Sequence, residues 1–270
     1  FKAVMTAIPY LIGMFIFSAI AGRIQEVGFT RNINSIPELF HYRFNRTARC
    51  ILAFMIVFTM MGTVAAQVTA TATIIKMLGN EFGISYEAGA LAATLIFIIY
   101  TAASGLFGVV YTDVLQFFML IIFVYILIPF SSIRYLGGFS SFWQNLDKSY
   151  LVPHINGSIL GDIVTYLVFT LAGAEMWQRA FAAKSKKAAT QGMFWGTSIY
   201  MITIALVFFM GLAGRQILPD VVASYGSSDA VVPALAVSIL PPGLTGLALA
   251  GILSVMMSTA DSYLLVSVQT

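Results

Sequence analysis

Seven stretches of this chain are long and apolar enough to cross a lipid bilayer, and no other feature constrains its fold as much. A crossing helix needs about 20 mostly apolar residues. The stretches fall at roughly 1–22, 47–78, 86–106, 112–132, 158–180, 189–214 and 243–270. In hydrocarbon the backbone must satisfy its own hydrogen bonds, which a helix does within one segment. The fold class is therefore an all-α polytopic membrane protein. Only 9% of residues are charged, against about 25% in soluble domains. The second stretch is long and rich in Thr and Ala, which fits a tilted helix. Residues 229–240 form a shorter apolar run ending at Pro241-Pro242, read here as an interfacial helix.

Seven spans fix the alternation of the loops, and basic residues choose the orientation. The loops after spans one and five hold Arg23, Arg31, Arg43, Arg46, Arg49, Arg179, Lys184, Lys186 and Lys187, nine in all. The opposite side has five: Lys2, Lys76, Arg134, Lys148 and Arg215. The side with nine is expected to face the cytoplasm. The chain then begins outside and finishes inside. A net charge of +3 gives no reason to expect nucleic acid as a partner, and the single cysteine, Cys50, excludes an internal disulfide. Starting at Phe1 inside an apolar segment and ending at Thr270 before a closing loop, the chain is read as one transmembrane domain over 1–270, cut short at both ends.

Two connections are longer than simple turns. In 20–48, Ser35 is placed to N-cap a short helix with Pro37 in its first turn. The other, 133–157, holds Gly137-Gly138, Trp143 and Pro153, and its aromatics suit an outer interface.

The last span carries a polar island. Leu247 to Met257 is almost wholly apolar, then Ser258, Thr259, Asp261 and Ser262 fall within five residues, and apolar sequence resumes at Tyr263. Hydroxyls and a carboxylate at that depth are costly unless they bind something. Hard cations such as sodium take oxygen ligands, which this cluster supplies. Ser258 and Ser262 share a helix face, with Asp261 beside them. The structural alternative is that each hydroxyl bonds back to the carbonyl one turn earlier.

Spans three and four are joined through Gly105-Leu-Phe-Gly-Val-Val-Tyr-Thr-Asp-Val-Leu-Gln116, expected to be a tight turn freed by Gly105 and Gly108. Asp113 then opens the fourth span. Either Thr112 or Asp113 caps that helix, or Asp113 faces the polar island at the same depth. In the fifth span Gly173 and its small neighbours mark a break or a packing face. Glu175 near its end is spaced to pair with Arg179. Gln67 is a lone amide in span two. His41 and His154 fall in predicted loops, and no Walker or Gly-x-Ser-x-Gly motif is present. The chain is not read as an enzyme.

Three segments together resemble the sodium/solute symporter family, whose members carry proline, pantothenate, sugars and sialic acid. They are 105–116, Trp177-Gln-Arg-Ala-Phe-Ala-Ala-Lys-Ser185 and Met257-Ser-Thr-Ala-Asp-Ser262. The resemblance implies a LeuT-like core of two inverted five-helix repeats, with these seven spans as core helices two to eight of ten. It implies a sodium site made by the Val255 carbonyl and the hydroxyls of Ser258 and Thr259. A second site, found in some members, would use Asp113, Ser258 and Ser262; Asp261 stands where that site often has serine. Positions comparable to substrate contacts are Gln67, Tyr166, Phe169 and Thr170. The expected activity is sodium-coupled symport of a small polar organic solute, an amino acid, carboxylate or relative, across the plasma (inner) membrane. The rival is a solute sensor on the same scaffold, with a signalling domain outside this sequence.

Overall fold

The computed structural model describes residues 2–79, 82–152 and 159–270. Pro153 and His154 of the second long connection lie outside the described residues. Twelve α-helices follow in chain order. They are α1 (Lys2–Arg31), α2 (Ile36–Arg43), α3 (Arg46–Gly79), α4 (Tyr86–Met119), α5 (Leu127–Tyr135), α6 (Phe139–Gln144), α7 (Ile159–Ala172), α8 (Ala174–Ala182), α9 (Lys186–Ile217), α10 (Val221–Tyr225), α11 (Val231–Ile239) and α12 (Pro242–Gln269). A π-helical turn, Leu120–Ile126, joins α4 to α5. Among the described residues there is no strand. Seven segments are long and apolar enough to cross a membrane: Thr6–Arg31, Arg46–Gly79, Tyr86–Ala103, Tyr111–Tyr135, Ile159–Ala182, Lys186–Ile217 and Pro242–Gln269. They match the seven expected from hydropathy, with α1 running on to Arg31 beyond its apolar part.

The chain packs as two compact units. The first holds residues 1–58, 147–204 and 266–270. In it α1 lies against α7 and α8. Phe17, Ala21 and Ile24 of α1 bury against Ala180 and Phe181 of α8 and Ala189 of α9. The ring of Phe17 meets Trp177 edge-on at 6.0 Å. Gly13 permits the close approach of α1 and α7: a Cβ there would lie 2.9 Å from the Thr170 Cβ. The short helix expected after Ser35 is α2. Ser35 accepts from the Glu38 N–H (3.4 Å), and Glu38 Oε2 reaches back to the Asn34 N–H (2.7 Å), a reciprocal cap. His41 therefore sits on this helix and not in a loop.

The second unit holds residues 59–146 and 205–265. Its core gathers Ile74 of α3, Val124 of the π turn, Ile128 of α5, Met210 of α9, Leu235 of α11, and Leu249 and Ile252 of α12. The run at 229–240 forms the short apolar helix α11 with the turn before it. Leu235 and Ala236 of α11 are fully buried, because α11 packs onto α5 and the core. Gly251 lets α12 close on the π turn; its Cβ would stand 3.1 Å from Val124 Cγ2.

The expected turn between spans three and four takes an unexpected form. Helical backbone continues through all of α4. Yet the Tyr100 hydroxyl donates to Thr112 Oγ1. A straight helix would hold those α-carbons about 18 Å apart, beyond the joint reach of the two side chains. The helix therefore bends back on itself between them without giving up its helical conformation.

Candidate functional site

The polar island lies two-thirds of the way along α12, within the second unit. One side of α12 is held by apolar packing: Ala260, Met256, Met257 and Leu264 meet Ala93 and Phe97 of α4 and Val68 of α3. That packing sets the polar residues of α12 beside those of α4. Ser258 Oγ donates to Asp113 Oδ1, joining residues 145 positions apart in the chain. Thr101, one turn beyond Phe97, donates from Oγ1 to Asp261 Oδ1 at 2.5 Å. The same hydroxyl lies 2.7 Å from the Phe97 carbonyl, so one proton serves two acceptors.

Asp113 does not cap a helix. It lies inside α4, six residues before Met119, with helical backbone on both sides. Thr112 does not cap either: its hydroxyl donates to the carbonyls of Gly108 and Val109, each at 3.0 Å. The capping alternative for both residues falls, because the expected helix start is a bend within one helix. Asp113, Ser258, Thr259, Ser262 and Val255 are half-buried, and Asp261 is 1% exposed. Back-bonding describes part of the cluster's surroundings, such as Ser254 Oγ to the Gly251 carbonyl (2.7 Å), whereas Ser258 turns to a carboxylate on α4.

The donor set is all oxygen: two carboxylates, the hydroxyls of Tyr100, Thr101, Thr112, Ser258, Thr259 and Ser262, and main-chain carbonyls. Neither α4 nor α12 carries Lys, Arg or His. A helical carbonyl such as that of Val255 keeps a second lone pair after accepting its helical bond. Chemically, this is a set for a hard monovalent or divalent cation. Thr101 was not singled out from the sequence. Its signal was there: the first aliphatic hydroxyl after the run Leu95-Ile-Phe-Ile-Ile-Tyr100.

The four residues read as substrate contacts fall in different units. Gln67 is half-buried in the second. Tyr166, Phe169 and Thr170 lie on α7 in the first. Tyr166 and Phe169 are 39% and 42% exposed, while Thr170 is 2% exposed. The Thr170 hydroxyl donates to the Tyr166 carbonyl at 2.8 Å. Thr170 thus packs against α1, whereas the two aromatic rings remain open.

Of the two readings of Gly173, a break or a packing face, the structure shows the break. α7 ends at Ala172 and α8 begins at Ala174, with Gly173 at φ −57°, ψ 110°. Trp177 Nε1–H donates across the break to the Leu171 carbonyl at 2.9 Å. Glu175 is buried at 8% exposure. Arg179 reaches its main-chain carbonyl from Nη1 at 3.5 Å.

The family model for the sodium:solute symporter family matches residues 1–270. The chain belongs to the sodium:solute symporter family. Among its curated relatives, the sodium/pantothenate symporter of Haemophilus influenzae is 28% identical, aligning 87% of this chain with 49% of the relative. The sodium/proline symporter of Salmonella typhimurium is also 28% identical, over 96% of this chain and 54% of its own length. The sodium/myo-inositol cotransporter 2 of Mus musculus is 26% identical, over 93% and 43%. The chain thus spans about half the length of these relatives. Family and helices together make it an integral membrane protein. The relatives are named for transport, and none of these findings supports the sensor alternative.

Proposed function

We propose that this chain is part of a sodium-coupled symporter that carries a small polar organic solute across the plasma membrane, and that 1–270 forms one transporter domain. The observation that carries this reading is the bond from Ser258 on α12 to Asp113 on α4. It sets a carboxylate and hydroxyls together inside spans that have no basic residue of their own. Such a group is stable when a cation joins it. The family match and the sodium-coupled activities named for the relatives support sodium as that cation. By resemblance, one site uses the Val255 carbonyl with Ser258 and Thr259, and a second uses Asp113, Ser258 and Ser262, with Asp261 alongside. The same resemblance supports a LeuT-like core. Gln67, Tyr166, Phe169 and Thr170 are the proposed solute contacts.

Sodium bound at α12 would favour the outward-open form to the extent that it binds that form more tightly. The membrane potential then adds about 2.3 kcal/mol per charge per 100 mV. The relatives are named for pantothenate, proline and myo-inositol, which supports a small hydrophilic organic molecule as the solute here.

The test is uptake by the full-length protein from a panel of amino acids, carboxylates and polyols, with and without sodium. Ser258→Ala/Thr259→Ala removes two hydroxyl ligands and little helix stability. The double variant is expected to reach the membrane and lose sodium-stimulated uptake. Normal transport with an unaltered sodium response would return the cluster to structural packing.

A further inference from the structure

The connection between α1 and α3 has two unlike sides. On one, Ile36 and Pro37 are buried and α2 lies against α8. On the other, residues 41–47, His-Tyr-Arg-Phe-Asn-Arg-Thr, are all exposed. Two of these seven are aromatic, Tyr42 and Phe44, and Phe29 near the end of α1 is 82% exposed. Rings left open beside a membrane span suit the boundary between lipid headgroups and water.

Arginines stand among the rings. The Arg31 guanidinium lies 5.2 Å from the centre of the Tyr42 ring, and that of Arg43 lies 5.9 Å from the centre of Phe44. A guanidinium stacked on a ring still presents the N–H groups of its edge to an anion. Arg46 opens α3 and is exposed, and Arg49 follows one turn on, half-buried. Residues 31–49 thus hold four arginines against one carboxylate, Glu38, which accepts from the Asn34 N–H. Glu26, just before them on α1, pairs with Lys186 at 2.5 Å. Arg46, Cys50, Phe54 and Phe58 recur at every fourth residue and so follow one another along one side of α3. All four are exposed, and the Phe54 and Phe58 rings stack at 6.4 Å. Positive charge at the head of an apolar stripe matches a phospholipid, with its phosphate at the arginines and an acyl chain along the rings. A soluble phosphate or a nucleic acid would use the charge and leave the stripe unfilled.

We infer that the exposed side of the α1–α3 connection binds the anionic headgroup of a membrane phospholipid, held by Arg31, Arg43 and Arg46. By the count of basic residues this lipid belongs to the cytoplasmic leaflet. The surface lies within the first unit, whereas the α4–α12 cluster belongs to the second, and it stands whether or not that cluster binds sodium. A lipid held there ties the connection to the bilayer surface.

The test uses purified full-length protein in a neutral detergent. Phosphatidylglycerol, phosphatidylcholine and inorganic phosphate are each titrated in, and binding is read from the thermal shift. Phosphatidylglycerol is expected to raise the melting point, and the other two are expected to leave it unchanged. Arg43→Gln/Arg46→Gln removes two charges from exposed side chains. One arginine near an anionic surface is worth about fivefold in binding, so the pair should weaken phosphatidylglycerol binding about twenty-five-fold. Added potassium chloride should weaken wild-type binding more than that of the variant. Lys148→Gln, in the opposite connection, removes one charge and should bind as wild type does. Equal shifts from phosphatidylglycerol and phosphatidylcholine would overturn the proposal, as would equal binding by wild type and the double variant. A shift from phosphate as large as that from phosphatidylglycerol would make the surface a site for free anions and overturn the lipid. If the double variant does not fold, Arg43→Gln and Arg46→Gln are measured singly, and wild-type binding by both would overturn the surface.

Discussion

Asp113 and Asp261 each receive a hydroxyl from another helical segment, yet neither of their helices carries a basic residue. Asp113→Asn keeps an oxygen to accept from Ser258 and removes the charge. Sodium-dependent uptake by this variant is expected to need about tenfold more sodium for half-maximal rate, equivalent to about 1.4 kcal/mol. An unchanged sodium curve at normal expression would make the bond a structural tie. Thr101 is argued to position Asp261. Thr101→Val preserves shape and removes the donor, which for a hydrogen bond to a charged group costs about 1.5–3 kcal/mol. The variant should melt lower in detergent and show a raised sodium requirement, with Thr101→Ser restoring both. A lowered melting point with an intact sodium curve would confine Thr101 to stability.

The element that differs most from a plain hydropathy reading is the fifth span, two helices joined at Gly173. Its geometry depends on close contact with α1. Gly13→Val would drive side-chain atoms into Thr170, whose Cβ is already 2.9 Å from an added Cβ. Overpacking of this kind costs about 1–3 kcal/mol. Gly161, on the same α7, has nothing within 4 Å of its Cβ position. Gly161→Ala is expected to be neutral or stabilising by about 0.5–1 kcal/mol, since alanine suits a helix better. Comparing both variants by thermal melting checks the contrast; equal effects would deny the close α1–α7 approach. The α4 bend is the other such element. Its existence follows from Tyr100 meeting Thr112, which no local propensity requires.

At the scale of the whole molecule, the nine-to-five division of basic residues sets an orientation. The segments at 32–45 and 183–187 should face the cytoplasm, and the start of the 147–152 connection should face outward. Single cysteines at Asn34 and Lys187, in a Cys50→Ala background, are expected to resist an impermeant thiol reagent in intact cells. A cysteine at Lys148 should label readily. Asn32 is avoided because its φ of 53° strains a residue without asparagine's tolerance of that region. Labelling of Asn34→Cys and Lys187→Cys with protection of Lys148→Cys would invert the topology.

What the amino-acid order determined by itself was everything governed by short range. Span length and hydropathy marked seven crossings. Ser35 and Pro37 announced α2, and the small residues about Gly173 left a break and a packing face equally open. The island at 258–262 declared itself because polar groups are conspicuous in an apolar run. Asp113 shows where that legibility stopped. Its neighbours read equally well as a helix start, and only the continuous bent helix removed the capping alternative. Thr101 was overlooked because one threonine in a membrane helix ordinarily bonds to its own backbone. The partners of Asp113 and Asp261 lie 145 and 160 residues away. Such pairings are set by how α4 packs on α12 through Ala93, Phe97 and Ala260. Side-chain packing between distant segments leaves no periodic trace in either one, so the tertiary structure alone decided them. The same holds for Glu175: its spacing suggested a pairing with Arg179, whose charge does act on the carboxyl, and only the fold shows that Oε2 is buried without a hydrogen bond.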